Sequence, residues 1–243
     1  MTATPDFTTL RAERDAPLVV VRAGQVPYGT AWAWQRELVE RRQADDVGDV
    51  LLLLEHPPVY TAGRRAEDAN LLFDDSERAR RGIELFRVDR GGDFTYHGPG
   101  QLVGYPILRL DGPRVVDHVR ALEQVGIDVA AGYGIEAGRI EGMSGVWVGT
   151  EKLMAIGVRV SSGYVTQHGM AFNVHPDMAH FAGIVPCGIE EKGVCSLVSL
   201  GVDADVDEVA GRYARAFLRV YGGTVEAATP ADLGLVSDAS ATA

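Results

Sequence analysis

Between Gly142 and Val174 the chain alternates short runs of β-prone residues with Gly and Ser. This alternation is typical of an antiparallel or mixed β-sheet whose strands are joined by tight turns. Such a sheet must bury its apolar face against helices or a second sheet, so this stretch limits the fold more than any other part of the chain. The strands predicted here are Val146–Val148, Leu153–Val160, Tyr164–Thr166 and Met170–Val174.

Helical patterns lie on both sides of this central stretch. Apolar residues recur at helical spacing in three segments, which begin near Pro27, Arg114 and Asp205. Proline suits a first helical turn and aspartate suits a helix cap, so these residues mark helix starts. Three helices packed on a mixed sheet give an α/β fold of the α+β kind. Two buried strands are predicted before the central stretch, at Leu18–Val21 and Val50–Leu54.

The pattern predicts one domain from residue 16 to residue 226, because no linker, repeat or low-complexity segment interrupts it. Residues 1–15 are predicted to form a flexible N-terminal arm. Residues 227–243 are rich in Ala, Ser, Thr and Asp, and are predicted to form a disordered C-terminal tail.

Charge and hydrophobicity exclude several kinds of partner. The formal net charge of −11 argues against a nucleic-acid surface, which needs clustered Lys and Arg. The longest apolar run, Val50–Leu54, is far shorter than the roughly 18 residues that a membrane span needs. The stretch from Met1 to Arg14 lacks the apolar core of a signal peptide, so we expect a cytoplasmic location and no membrane partner.

Arginines are concentrated in one stretch of the chain. A solvated helix face and a docking patch for an acidic partner explain this concentration equally well. The arginines are Arg64, Arg65, Arg78, Arg80, Arg81, Arg87 and Arg90.

Cysteine and histidine usage gives no sign of a disulfide framework or a metal site. The two cysteines, Cys187 and Cys195, are too few for a disulfide scaffold in a chain of 243 residues. The six histidines lack the HExxH motif or any paired-ligand spacing. We therefore expect neither a metal nor another cofactor.

Three segments carry candidate chemistry. Arg90–Leu102 contains four glycines around Tyr96 and His97, which would allow its backbone to approach a ligand closely. Lys152 opens an apolar strand, and Cys187 stands between Pro186 and Gly188 in a predicted sharp turn. Taken alone, each segment fits a purely structural interpretation better than a functional one: tight turns, an exposed strand end and a buried thiol.

A cysteine is an effective nucleophile only as a thiolate, so Cys187 would need an adjacent base or positive charge. Lys152, His97 and His168 are the candidates for that role. From chemistry alone, the residues favour a cysteine–histidine pair.

Taken together, these segments resemble the lipoyl(octanoyl) transferases, which are octanoyl-[acyl carrier protein]:protein N-octanoyltransferases. The resemblance covers nearly the whole chain between its two ends, and the order and spacing of the segments make it specific. The matching segments are Glu55–Thr61, Arg90–Leu102, Gly145–Val148, Lys152 with Ala155–Gly157, His168–Val174 and Pro186–Ile189.

The resemblance implies the fold that biotin and lipoate protein ligases share, a mixed β-sheet carrying helices. It also implies a catalytic dyad, in which Cys187 carries the acyl group as a thioester and Lys152 lowers the thiol pKa and moves protons. Where the family has Thr before Ser-Leu, this chain has Cys195, which raises the question of a side reaction there. The implied substrate-binding residues are Arg90, Gly91, Gly92, Asp93, Phe94, Thr95, Tyr96, His97, Ala155, Ile156, Gly157, Gly169, Met170 and Ala171.

The implied reaction is the first step of endogenous protein lipoylation. The donor would be octanoyl-acyl carrier protein. The acceptors would be the lipoyl domains of 2-oxoacid dehydrogenase complexes and the H protein of glycine cleavage. The main alternative is an ATP-dependent lipoate or biotin ligase, which needs no nucleophilic cysteine. A thioester hydrolase and a catalytically idle module that binds a carrier protein are further alternatives.

Overall fold

The computed structural model describes residues 6–185 and 193–236. Its four α-helices are α1 (Tyr28–Gln43), α2 (Asp75–Arg81), α3 (Val115–Ala131) and α4 (Val206–Tyr221). The strands in these residues are β1 (Leu18–Gln25), β2 (Asp49–Glu55), β3 (Val59–Ala62), β4 (Glu84–Arg87), β5 (Phe94–His97), β6 (Gln101–Ile107), β7 (Gly138–Ile140), β8 (Met143–Val148), β9 (Glu151–Val160), β10 (Thr166–Asn173), β11 (Gly193–Val194) and β12 (Val225–Ala228).

The larger sheet has the strand order β12-β1-β2-β6-β10-β9-β8-β7, and β11 pairs with β9 outside this path. β1 is parallel to both of its neighbours, whereas the run from β2 to β7 is antiparallel throughout. The predicted mixed sheet with packed helices is therefore confirmed.

The apolar run in β2 is explained by helices on both faces of this sheet. Leu51 and Leu53 belong to the core cluster that contains the buried faces of α3 and α4. Val50, Leu52 and Leu54 belong to a second cluster, which contains the buried face of α1. A strand that is covered on both faces needs apolar residues at every position rather than at alternate ones.

The predicted helix starts lie where the sequence places them. Pro27 directly precedes α1, and the Asp205 carboxylate accepts a hydrogen bond from the Glu208 N–H at 2.6 Å, which caps α4. One strand prediction is partly wrong. The strand expected at Tyr164–Thr166 begins only at Thr166, because Ser162–Tyr164 form a short 3₁₀ turn in which Tyr164 has a φ of +59°.

A smaller sheet, of order β4-β3-β5, was not anticipated. β3 is parallel to β4 and antiparallel to β5. Its apolar side chains join a separate aromatic cluster that includes Tyr60, Phe94, Tyr96 and Phe181. This sheet presents β5 and the preceding glycine-rich loop to the site described below.

Both terminal predictions need correction within the described residues. Phe7 and Leu10 are buried, and the Arg11 guanidinium meets the Asp49 carboxylate at 2.7 Å, so residues 6–15 are not a free arm. At the other end β12 pairs with β1, and the Trp34 indole N–H donates to the Val236 carbonyl at 2.8 Å. A few buried side chains therefore anchor each of these two segments.

Candidate active site

A cavity of about 490 Å³ opens between the glycine-rich loop, β9 and β10. The substrate-binding residues expected from the resemblance line it, with the exceptions of Gly91 and Tyr96. The Gly91 N–H donates to the Val158 carbonyl at 3.0 Å, and the buried Tyr96 hydroxyl lies 2.8 Å from His180 Nδ1. These two residues therefore attach the loop to the domain rather than face the cavity.

Two glycines allow the backbone to come close at the cavity wall. Gly157 in β9 and Gly169 in β10 face each other across the sheet. A Cβ on Gly157 would lie 3.0 Å from the Gly91 carbonyl oxygen, and one on Gly169 would lie 2.1 Å from that of Gly104. A side chain at either position would push neighbouring backbone away and reshape the cavity.

Lys152 lies in the wall of this cavity with only 7% of its surface exposed. Its ammonium nitrogen is 4.6 Å from the centroid of the Trp147 ring, a cation–π arrangement. Lys152 and Trp147 are directly opposite each other on β9 and β8.

A β-bulge directs Lys152 into the cavity. Trp147 pairs with Lys152 but Val146 pairs with Met154, so Leu153 is the extra residue. Strict alternation would place Lys152 on the face of Met154, which packs against Gly126 of α3. The bulge keeps Leu153 and Met154 in the core and turns Lys152 towards the cavity.

The histidines beside the cavity are neutral imidazoles that are engaged in hydrogen bonds. His56 Nδ1 donates to the Val26 carbonyl at 2.6 Å, and its Nε2 accepts from the Tyr105 hydroxyl at 2.7 Å. His97 Nδ1 lies 2.8 Å from Gln101 Oε1, an acceptor, and so carries the proton. Burial lowers the pKa of His56 to about 4 and holds the pKa of His97 well below its ordinary value.

His168 also lines the cavity, with a φ of +59°. Its Nε2 lies 2.7 Å from the Asp89 carboxylate, which also meets Arg159 at 2.6 Å. Burial lowers the pKa of His168, and the hydrogen bond from His168 lowers the pKa of Asp89. The pair is therefore a neutral imidazole that donates to an ionised carboxylate.

Of the two cysteines, Cys187 lies outside the described residues. Cys195 is buried behind β9, where its Sγ is 3.7 Å from the Glu151 carbonyl oxygen. Burial, together with the nearby Glu151 charge, raises the pKa of Cys195 to about 12. Such a thiol is a poor nucleophile at neutral pH, which argues against a side reaction at Cys195.

Sequence comparisons identify the relatives of this chain. The lipoyl protein ligase A/B catalytic domain matches residues 27–218. The octanoyltransferase of Gloeobacter violaceus is 50% identical over 207 residues, which are 84% of this chain and 90% of the relative. The octanoyltransferase of Rubrobacter xylanophilus is 49% identical over 213 residues, 86% of this chain and 96% of the relative. The chain belongs to the octanoyltransferase family. It is therefore an acyltransferase.

The fold agrees with this family membership. The bipartite lipoate protein ligase of Thermoplasma acidophilum superposes on this acyltransferase with a TM-score of 0.67 at 18% identity, covering 88% of this chain and 87% of the other. At that identity the likeness shows a shared fold only.

In residues 6–185 and 193–236 the acyltransferase has no helix that is long and apolar enough to cross a membrane, and no group of three His, Cys, Asp or Glu that could hold a metal ion.

The arginine-rich stretch of the acyltransferase divides into two parts. Four of its members pair with nearby carboxylates, and Arg90 is buried against Thr61. Arg64 and Arg65 are exposed, and neither side chain has an ion pair within the described parts of the chain. Their backbone N–H groups donate to the Arg90 and Gly92 carbonyls, and Arg65 lines the cavity. The pair is thus held at the cavity rim.

Sequence reasoning missed two residues that shape the lysine side of this cavity. Trp147 lies in the matched Gly145–Val148 segment, but no sequence pattern predicted that its ring contacts Lys152. Glu123 in α3 is fully buried and accepts a hydrogen bond from the Gly145 N–H at 3.1 Å. The sequence feature that could have identified Glu123 is a carboxylate within an apolar helix face, which is rare unless the carboxylate is paired.

Proposed function

We propose that this acyltransferase moves an octanoyl group from acyl carrier protein to a lysine of a lipoyl carrier domain, with a Cys187 thioester as intermediate. The observation that carries this proposal is the position of Lys152, an amine buried in the cavity wall over Trp147. The cavity wall around it would hold the octanoyl chain, through the glycine-rich loop, Ala155–Gly157 and Gly169–Ala171.

In the first step, the Cys187 sulfur attacks the carbonyl carbon of the donor thioester. Lys152 accepts the thiol proton, and the ammonium that this transfer places beside the sulfur stabilises the thiolate. A new carbon–sulfur bond forms at Cys187 while the bond to the carrier's sulfur breaks, and Lys152 returns the proton to the departing thiolate. One thioester replaces another, so the step needs little driving force.

In the second step, the lysine amine of the carrier domain attacks the Cys187 thioester. This amine has an ordinary pKa of about 10.4, so it is mostly protonated near neutral pH and needs a base. Lys152 accepts one proton of the ammonium and so frees the amine to attack, and the proton that the nitrogen loses as the amide forms passes to the Cys187 sulfur, which leaves as the thiol. The amide product is much more stable than the thioester, so the transfer needs neither ATP nor a metal.

The neutral histidines support the choice of Lys152 over a cysteine–histidine pair. Both ring nitrogens of His56 are already hydrogen-bonded, and burial lowers the pKa of His97, which makes its imidazole a weak base. The Nε2 of His168 already donates to the Asp89 carboxylate at 2.7 Å. A single base that serves both steps is therefore best supplied by Lys152.

A direct test supplies two alternative donors to an apo-lipoyl domain. With octanoyl-acyl carrier protein and no ATP, we expect octanoylated product, and with free octanoate plus ATP we expect none. Product formed only from octanoate and ATP would replace the proposal with the ligase alternative. Free octanoate released at the same rate with and without the acceptor would indicate a thioester hydrolase.

The exposed Arg64 and Arg65 are proposed to attract the acidic carrier protein to the cavity rim. Replacing both by Glu should weaken the apparent affinity for octanoyl-acyl carrier protein about tenfold at low salt, because like charges oppose docking. The matched control, Arg80→Glu with Arg87→Glu, changes the same charge away from the cavity. Equal salt dependence of the two double variants and the parent would contradict this docking role.

A further inference from the structure

Glu123 of α3 is a fully buried carboxylate that is saturated with donors. Its Oε2 meets Arg120 at 2.7 Å and Arg139 at 2.9 Å, and its Oε1 accepts the Gly145 N–H at 3.1 Å. Burying a charge is costly unless it is paired and hydrogen-bonded, and these three donors meet that requirement.

The donors come from three different elements. Arg120 lies one turn earlier in α3, Arg139 lies in β7 and Gly145 lies in β8. Glu123 therefore fixes the last two strands of the larger sheet to the helix that packs behind them. Arg139 strengthens this attachment because its guanidinium also donates to the Arg120 carbonyl at 3.0 Å.

The segment that Glu123 fixes is also the wall that contacts Lys152. Gly145 has a φ of +123°, and a Cβ there would lie 2.6 Å from the Met154 carbonyl and 3.4 Å from Lys152 Cε. Two residues further on, the Trp147 ring lies 4.6 Å from the Lys152 ammonium. The backbone at Gly145 and the ring at Trp147 thus confine the methylene chain and the head group of Lys152.

We infer that Glu123 is a positioning residue: it holds Gly145 and Trp147 so that the Lys152 amine points into the cavity. The catalytic consequence of this role rests on the proposed function of Lys152, whereas the placement of Lys152 can be measured by itself. Glu123 touches no reacting atom. It acts through the β8 wall.

Asp49 offers a matched control elsewhere in the fold. It is also buried, and its carboxylate also accepts from two guanidinium groups, Arg11 at 2.7 Å and Arg42 at 2.9 Å. Its third donor is a backbone N–H as well, that of Arg109 at 3.0 Å. Asp49 does not line the cavity, so removing its charge should disturb stability without affecting Lys152.

The test compares Glu123→Gln with Asp49→Asn in the full chain. The reactivity of Lys152 towards acetic anhydride, relative to that of a lysine-containing reference peptide added to the same sample, is read by mass spectrometry at one pH. Steady-state transfer from octanoyl-acyl carrier protein supplies kcat and KM, and thermal unfolding supplies the loss of stability. Arg139→Gln is a milder variant that decides the question if Glu123→Gln does not fold.

We expect both carboxylate variants to lose stability, but only Glu123→Gln to change the reactivity of Lys152. Its kcat should fall about 10- to 100-fold with KM unchanged, because small displacements of a catalytic group cost factors of this size. Arg139→Gln should change both quantities in the same direction by a smaller factor. A change in labelling without a change in kcat would support the positioning and count against the catalytic role of Lys152.

Two results would overturn the inference. In one, Lys152 labelling and kcat in Glu123→Gln, or in Arg139→Gln if the first does not fold, equal those of the parent. In the other, Asp49→Asn changes both as strongly as Glu123→Gln does, so that general destabilisation explains the effect.

Discussion

The cavity has two walls that both carry ionisable side chains, but they are built differently. On the lysine wall, formed by Gly145–Val148 and Lys152, a β-bulge directs the amine into the cavity over an aromatic ring. In the histidine cluster of His56, His97 and His168, hydrogen bonds and burial keep the imidazoles neutral. The contrast teaches that a titratable residue beside a cavity is not thereby a catalytic one. Where its proton-carrying atoms are already engaged, it contributes to structure.

Substitutions in the two walls should differ most in their effect on the rate of octanoyl transfer. Lys152→Ala should lower the rate about 10²- to 10⁴-fold, which is the usual contribution of an acid–base group. Lys152→Arg should be nearly as poor, because a guanidinium keeps the positive charge but does not release its proton. Initial rates of octanoyl transfer at pH 7 measure both. His168→Gln, the matched change in the histidine cluster, should cost less than about tenfold, and an equal loss there would remove the distinction.

The buried neutral histidines should instead affect how the free energy of unfolding depends on pH. Burial lowers the pKa of His56 in the folded protein to about 4 and that of His118, a residue of α3 that contacts Tyr221 of α4, to about 3. The unfolded chain therefore binds more protons below pH 6.5, and the free energy of unfolding falls as the pH is lowered from 6.5 to 4. Each such histidine contributes up to about 1.4 kcal/mol per pH unit over this range.

Urea unfolding at pH 7 and at pH 5 measures this slope. His56→Gln should flatten it, whatever the variant does to stability at pH 7, because a glutamine takes up no proton. A slope that stays the same in this variant would mean that His56 is not held neutral by the fold.

The smallest effect is expected at Cys195, which lies behind the lysine wall. Cys195→Ala should leave the transfer rate within about twofold, since a buried thiol with a raised pKa is not a nucleophile at neutral pH. Iodoacetamide labelling at pH 7.5 checks the same point. Cys187→Ala should remain unlabelled, and a rapidly labelled Cys195 would show that this thiol is accessible.

The main architecture could be predicted because it rests on local patterns. The apolar run at Val50–Leu54 and the glycine-spaced runs after Gly142 indicated strands, and Asp205 indicated a helix cap. The small sheet was missed because its strands are only four residues long, as in Val59–Ala62, and are separated by α2. The terminal segments were wrongly predicted to be free because single residues such as Leu10 and Leu235, rather than overall composition, anchor them.

The site was only partly predictable for a related reason. Glycine-rich segments indicate places where the backbone approaches another group closely, so most of the residues that line the cavity could be predicted from the sequence. The direction of Lys152 depends on a one-residue register shift against β8, and a register shift follows from tertiary packing rather than from residue type. The neutral, hydrogen-bonded state of the histidines likewise depends on partners that are distant in sequence, such as Val26 and Asp89, which no local pattern identifies.

The most direct test of the Cys187 thioester mechanism is the intact mass of the protein after mixing with octanoyl-acyl carrier protein. We expect one added octanoyl group on the parent, none on Cys187→Ala and slow addition on Lys152→Ala. An apo-lipoyl domain should then remove the group and become octanoylated. Transfer to the lipoyl domain without any adduct on the parent would contradict a thioester intermediate, because the acyl group would then pass directly from donor to acceptor and Cys187 would carry nothing.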